Sequence, residues 1–379
     1  MDRIKARSWA EININNLRHN ALVLKGLLKD DCQMMCAIKA NAYGHGMLKA
    51  AEVYDSIADQ FAVACLDEAV ELRNAGFTKE SLILGYTPVE YAKELIDINV
   101  MQTVYSYEYA KQLDTEVDSY GKKLKVHLKI DSGMSRLGFS VKDTECLDKT
   151  FNEISSLVKE CKNLEFKGLF THFHSSDHKT SEKTDIQFER YLKLKSMLDD
   201  AGIKFEFYHC CNSAAMIRYP RMHMNMVRPG ITLYGAFPGE TERDIDIRPT
   251  FELKTRVGQI HRVKAGEGIS YNTTFIADKD MTVATLPIGY ADGYPRHLTN
   301  KGIMLVNGQR VRVVGNICMD QCVIDVTGVD VKEGDVVTVF GKDGNEYISV
   351  DEVSENAGTI PNELLCLFSE RVRRVYIEE

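Results

Sequence analysis

Five short segments of this chain place ionisable or hydroxyl side chains directly behind apolar runs. In "AIKANAYGHG" (37–46), Lys39 follows "MMCAI" and precedes two glycines, a tyrosine and a histidine. "KIDSGMSRLG" carries Lys129, Asp131 and Arg136, and "THFHSSDH" carries His172, His174 and His178. "HCCNSAA" carries His209, Asn212 and Ser213, and "VRPGI" carries Arg228 and Gly230. A lone lysine or histidine at a strand end is more often solvated or structural than reactive. Five such ends on one face argue for a reactive pocket.

Two chemistries suit these residue types. The first is metal-dependent hydrolysis, with "HFH", His209 and nearby aspartates as ligands. A carbamylated lysine would then bridge two metals. That reading needs the strand to continue through His174, whereas "SSDH" reads as loop. The second is a lysine that covalently holds the aldehyde of pyridoxal phosphate. Lys39 supplies the amine. Ser213 and the backbone N–H groups of Gly230 and Ile231 make an anion site for the phosphate. Arg228 is a fixed cation for the ring nitrogen.

The elements that must position these residues are legible as alternation. Eight short apolar segments begin near residues 34, 61, 81, 101, 125, 166, 205 and 225. Between them, 67–76, 88–99 and 184–202 have apolar residues at helical spacing, and the first helix begins in "NNLRHNALVLKGLLK". This predicts a (β/α)8 barrel, whose chemistry collects where strands end and βα loops begin. The rival, a doubly wound open sheet, usually brings a G-x-G-x-x-G loop, and none is present. After "RPGITLYGAFPG" the texture turns rich in Val, Ile and Thr with Gly-containing turns. The expected division is a barrel over 14–240 and a β-rich domain over 241–379, joined by a strand from 1–13.

Of 379 residues, 44% are hydrophobic and 27% charged, values of an ordinary soluble protein. The net charge of -8 and the absence of basic stretches interleaved with aromatics argue against a nucleic-acid partner. No apolar run has the length of a membrane span, and the start lacks the apolar core of a signal peptide. Ten cysteines then read as reduced thiols in a cytoplasmic setting. The cytoplasmic portion of a membrane-anchored protein fits the same observations.

"AIKANAYGHG", "KIDSGMSRLG", "THFHSSD", "CCNSAA", "VRPGITLYG", "GEGISYNTTF", "LPIGYADGYPR", "VGNICMDQ" and "AGTIPNELLC" together resemble the alanine racemase family, from about Arg7 to Tyr376. The resemblance implies a fold-type III pyridoxal phosphate barrel, a β domain and a homodimer with shared active sites. It implies that Lys39 holds the cofactor and acts as one catalytic base. Tyr271 is the other base, delivered by the second subunit. Tyr43, Ser213, Gly230 and Ile231 match phosphate contacts, and Arg228 matches the arginine at the pyridine nitrogen. His172 matches a histidine bonded to the catalytic tyrosine. Arg136 matches an arginine near the cofactor's phenolic oxygen and the substrate carboxylate, and Lys129 a lysine often carbamylated to hold that arginine. Met319 and Asp320 match substrate-side residues of the partner subunit, and Tyr290 a tyrosine of the entry channel. Taken alone, Tyr271 and Met319 would read as packed β-domain residues.

Two positions depart from the family pattern. Asn362 stands where a tyrosine usually crowds the substrate side chain. Asn is shorter and offers both a donor and an acceptor. At this position the chain resembles the serine racemases of vancomycin-resistance systems, whose catalytic domain is joined to a membrane domain. The expectation is serine racemisation with alanine activity retained; the alternative is a plain alanine racemase supplying peptidoglycan precursor. Ser135 stands where glycine is commoner, which touches the pose of Arg136. A cofactor carrier without turnover is a third class, and the second domain speaks against it.

Overall fold

Short parallel strands, most of them buried on both faces, close the first half of the chain into a cylinder. The computed structural model describes residues 6–180 and 182–378. Its barrel strands are β1 (Gln33–Ala37), β2 (Gln60–Val63), β3 (Ser81–Ile83), β4 (Met101–Val104), β5 (Leu124–Asp131), β6 (Leu164–Phe170), β7 (Phe207–His209) and β8 (Met226–Val227). Each pairs in parallel with the next, and β8 pairs with β1, which closes the ring. All eight apolar segments of the sequence are barrel strands. One parity fills the interior: Met35, Ala37, Ala62, Leu82, Met101, Phe207 and Met226 form a cluster of their own. Such a barrel is a packed core, open for chemistry only at its C-terminal rim.

The helices expected at 67–76, 88–99 and 184–202 fall at Leu66–Asn74, at a 3-10 turn Val89–Tyr91 running into Ala92–Asp97, and at Glu182–Asp200. None of the helices among the described residues is long and apolar enough to cross a membrane.

The second half is built of antiparallel sheet. Its largest sheet runs Gln309–Arg312, Ile303–Val306, Val336–Asp343, Phe251–Arg256, Ser8–Asn13 and Arg373–Ile377 in spatial order. The N-terminal strand Ser8–Asn13 lies in its interior, antiparallel to Phe251–Arg256 and parallel to Arg373–Ile377. The β-rich half also returns to the barrel rim. At Gly44, where φ is +80°, a Cβ would lie 2.1 Å from the carbonyl oxygen of Leu365. Only glycine permits that approach. It seats the helix Pro361–Leu367, and with it Asn362, against the loop that follows Lys39.

Candidate active site

The strand β1 stops at Ala37, so Lys39 does not end a strand as its position behind an apolar run predicts. It opens a left-handed helical turn instead. Ala40, Asn41, Ala42 and Tyr43 have φ between 50° and 54°. At about 1–2 kcal/mol per residue, this conformation costs several hydrogen bonds' worth of stability. Local contacts hold it. Asn41 Oδ1 accepts from the N–H of Met47 at 2.7 Å, the Asn41 carbonyl accepts from Gly46, and the ring of Tyr43 stacks on Tyr234 at 4.8 Å. The turn directs the Lys39 side chain into a cavity of about 620 Å³ at the barrel rim.

That cavity brings together Lys39, Tyr43, Lys129, Arg136, His172, Ser213, Arg228, Gly230, Ile231 and Asn362. At one end the chain makes an anion cradle. The Ser213 hydroxyl accepts from the Gly230 N–H at 2.8 Å, and the buried Thr232 hydroxyl has no partner. A Cβ on Gly230 would lie 2.6 Å from the Tyr43 hydroxyl, so glycine alone leaves that space open. Tyr43, Ser213, Gly230 and Ile231, with Lys39 on the same cavity, fit a phosphorylated aldehyde cofactor.

Behind the cradle, inward positions of four strands carry a polar chain through an apolar barrel. Arg228, just past β8, donates to His209 Nδ1 at 2.7 Å, to the Thr171 carbonyl at 2.9 Å and to His172 Nδ1 at 3.3 Å. A guanidinium cannot accept, so His209 carries its proton on Nε2 and donates it to His127 Nδ1, 2.9 Å away. Phe170 stacks on His209 at 4.7 Å, and Gly168 makes room for the His127 ring. Burial, then the charge of Arg228, holds His172 and His209 well below the usual histidine range and brings His127 down to about 3. All three are neutral, so the buried cation of Arg228 faces the cavity with no carboxylate to offset it. His127 was not legible as a site residue. Its only signal is an ionisable side chain at an inward position of "KVHLKID".

The same geometry speaks against the hydrolase reading. His172 and His209 turn their Nδ1 atoms to a guanidinium, and His174 Nδ1 bonds Ser175. Among the described residues no group of His, Cys, Asp and Glu is arranged to hold a metal.

Two lysines meet this cationic surface. Burial and then Arg136 lower the pKa of Lys39, with Glu68 opposing. Burial and then Arg228 lower Lys129 to about 7, where its amine donates to the Ile130 carbonyl at 2.8 Å. Ser135 sits at φ +58°, a conformation glycine takes freely. Its hydroxyl accepts from Lys142 at 2.7 Å, and its N–H donates to Asp131 at 3.0 Å.

Tyr271, Met319, Asp320 and Tyr290 do not reach the cavity. They lie on the β-rich half, where Tyr271 is 71% exposed. Three loops build this second patch. Asn316 donates to the Tyr271 carbonyl at 2.6 Å, while Tyr290 and Ala291 donate to the carbonyls of Cys318 and Met319. Gly289 is required there, since its Cβ would lie 2.3 Å from the Cys318 carbonyl.

Residues 12–238 match the family described as alanine racemase, N-terminal domain, and residues 250–376 match its C-terminal domain. The chain is 42% identical over 373 residues to an alanine racemase of Methanococcus maripaludis, covering 97% of this chain and 98% of that one. It is 40% identical over 378 residues to an alanine racemase of Desulforamulus reducens, covering 99% and 100%. Among solved structures, an alanine racemase of Clostridium difficile superposes with a TM-score of 0.92 at 40% identity, covering 100% of this chain and 97% of that one. One from Bacillus anthracis with bound L-Ala-P gives 0.93 at 34% identity, covering 100% and 96%.

Proposed function

From the premise that this chain belongs to the alanine racemase family, we propose that it interconverts the enantiomers of alanine with two bases, Lys39 and Tyr271, on opposite faces of the substrate. Enzymes of this family use pyridoxal 5'-phosphate. The observation that carries the reading is the convergence of Lys39, the Ser213–Gly230 cradle and Arg228 on one cavity. The chemistry supplied by pyridoxal phosphate is electron withdrawal from the substrate's α carbon, which loosens the proton there. Lys39 holds the cofactor. Ser213, Tyr43 and the N–H groups of Gly230 and Ile231 hold its phosphate. Arg136 stands on the cavity wall for a carboxylate. Lys39 exchanges the α proton on one face and the Tyr271 phenol on the other. Lys129, with an amine lowered to about 7, has a substantial neutral fraction near neutral pH and is open to carbamylation. That would replace an amine with an anion able to hold Arg136.

Arg228 accounts for the choice of reaction. Its guanidinium keeps its proton, so the ring nitrogen stays unprotonated and electron withdrawal stays modest. This suppresses the side reaction in which the amino group is lost to the cofactor. Arg228→Glu is expected to raise the keto acid released per racemisation event. The ratio is read by coupled dehydrogenase assay on protein of confirmed melting temperature, and an unchanged ratio counts against this role.

Serine is the second reading, and Asn362 is the observation that favours it. Half-buried on the cavity wall beside Ile360, it leaves room where a tyrosine would stand and offers a partner to a hydroxyl. The alanine racemases named above put alanine first. Asn362→Tyr is expected to move the serine-to-alanine ratio of kcat/KM toward alanine by roughly tenfold. The test of both readings is one assay of L-alanine and L-serine racemisation, side by side, on the yellow holoenzyme. A colourless protein without turnover on either would sink the proposal.

The two half-sites, one on the barrel and one around Tyr271, support a homodimer in which each copy completes the other's site.

A further inference from the structure

Glu68 lies in the first turn of the helix Leu66–Asn74 that follows β2. Its two carboxylate oxygens accept from two different loops. Oε1 takes the N–H of Ala40 at 2.7 Å, and Oε2 takes the N–H of Ala64 at 2.7 Å. Ala40 is the residue after Lys39 and the first of the left-handed turn; Ala64 is the residue after β2. One charged group therefore ties together the ends of two neighbouring barrel strands, at the point where the chain leaves ordinary backbone geometry. Bonds from backbone N–H to a carboxylate are about twice as strong as neutral ones. Glu68 does not line the cavity, so it acts through its neighbours.

Its charge matters as well as its reach. Arg136 and Arg228 both oppose a positive charge on the Lys39 side chain, and Glu68 is the carboxylate that favours one. The remaining charge influence there comes from the Cys366 thiol.

We propose that Glu68 is a positioning residue for Lys39, fixing the left-handed turn through Ala40 and balancing the cationic surroundings of the lysine nitrogen. This rests on the reading of Lys39 as the cofactor-bearing base. The carboxylate needs both oxygens. A glutamine keeps one acceptor and turns an NH2 group toward a second N–H, leaving that N–H unpaired. An aspartate keeps the charge but is one methylene too short to span both loops.

The test compares wild-type holoenzyme with Glu68→Gln and Glu68→Asp. Melting temperature, kcat, KM and the pH midpoint of the cofactor's visible absorption are measured for each. Glu68→Gln is expected to lower kcat roughly tenfold, with a much smaller change in KM, because a displaced base costs rate rather than binding. It is also expected to move the absorption midpoint to lower pH, since a negative charge near the linked nitrogen is gone. Glu68→Asp is expected to restore the midpoint while kcat stays reduced. Parental kcat in Glu68→Gln overturns the proposal. So does a fall in kcat with an unmoved midpoint, which marks a merely structural contact. A wild-type protein without the visible band overturns the cofactor reading itself, and is told apart from failure of the Glu68 contact by that absence.

Discussion

Lys39→Ala is expected to lower kcat/KM for alanine racemisation by at least ~10³-fold in both directions, because under the proposed mechanism it removes a covalent anchor and a base at once. Each role alone has a weak substitute. The cradle of Ser213, Gly230 and Ile231 still binds a phosphate, so the variant retains affinity for the cofactor. Lys129 lines the same cavity and has a lowered pKa, which makes it, among the described residues, the amine best able to stand in. It is poorly placed to do so. Its nitrogen is bound to the Ile130 carbonyl and lies over the ring of Phe170 at 5.4 Å. The expected protein is therefore folded, holds cofactor reversibly, and yields no borohydride-fixed adduct at residue 39. Racemisation at the parental rate in Lys39→Ala, with no amine added, would falsify the role of this lysine outright.

Tyr271→Phe is expected to cost about 10²- to 10⁴-fold, the usual worth of a positioned proton-transfer group. Within one chain nothing explains such a loss, since Tyr271 is exposed and away from the cavity. The explanation needs a second copy, and mixing makes that testable. A dimer with one Lys39→Ala chain and one Tyr271→Phe chain contains one doubly damaged site and one intact site. Two inactive parents, unfolded together and refolded, should recover about a quarter of wild-type activity, since half the dimers are mixed and each has one good site of two. No recovery, with mixed dimers shown by mass spectrometry, would mean that Tyr271 works within its own chain or not at all.

The sequence by itself determined the eight barrel strands, because fully buried parallel strands are short apolar runs and the helices between them keep a 3.6-residue period. It also determined which loops meet at the cavity, since polar residues directly after such runs fall at the barrel's C-terminal rim. Lys39, Ser213, Arg228 and Gly230 were legible as cavity residues for that reason. What lay outside local pattern was decided only by the tertiary structure. No propensity predicts four left-handed residues in "ANAY"; the turn persists because Glu68, Asn41 and Tyr234, distant in sequence or acting through side chains, hold it. His127 joins Arg228, through His209, only because Gly168 on the neighbouring strand leaves room for an imidazole. Asn362 reaches the cavity only because Gly44 lets the backbone of Leu365 come close. Alternation reports which side of a strand is buried. It carries no information on which distant segment does the burying, and that is where this chain places its turn, its charge and one wall of its cavity.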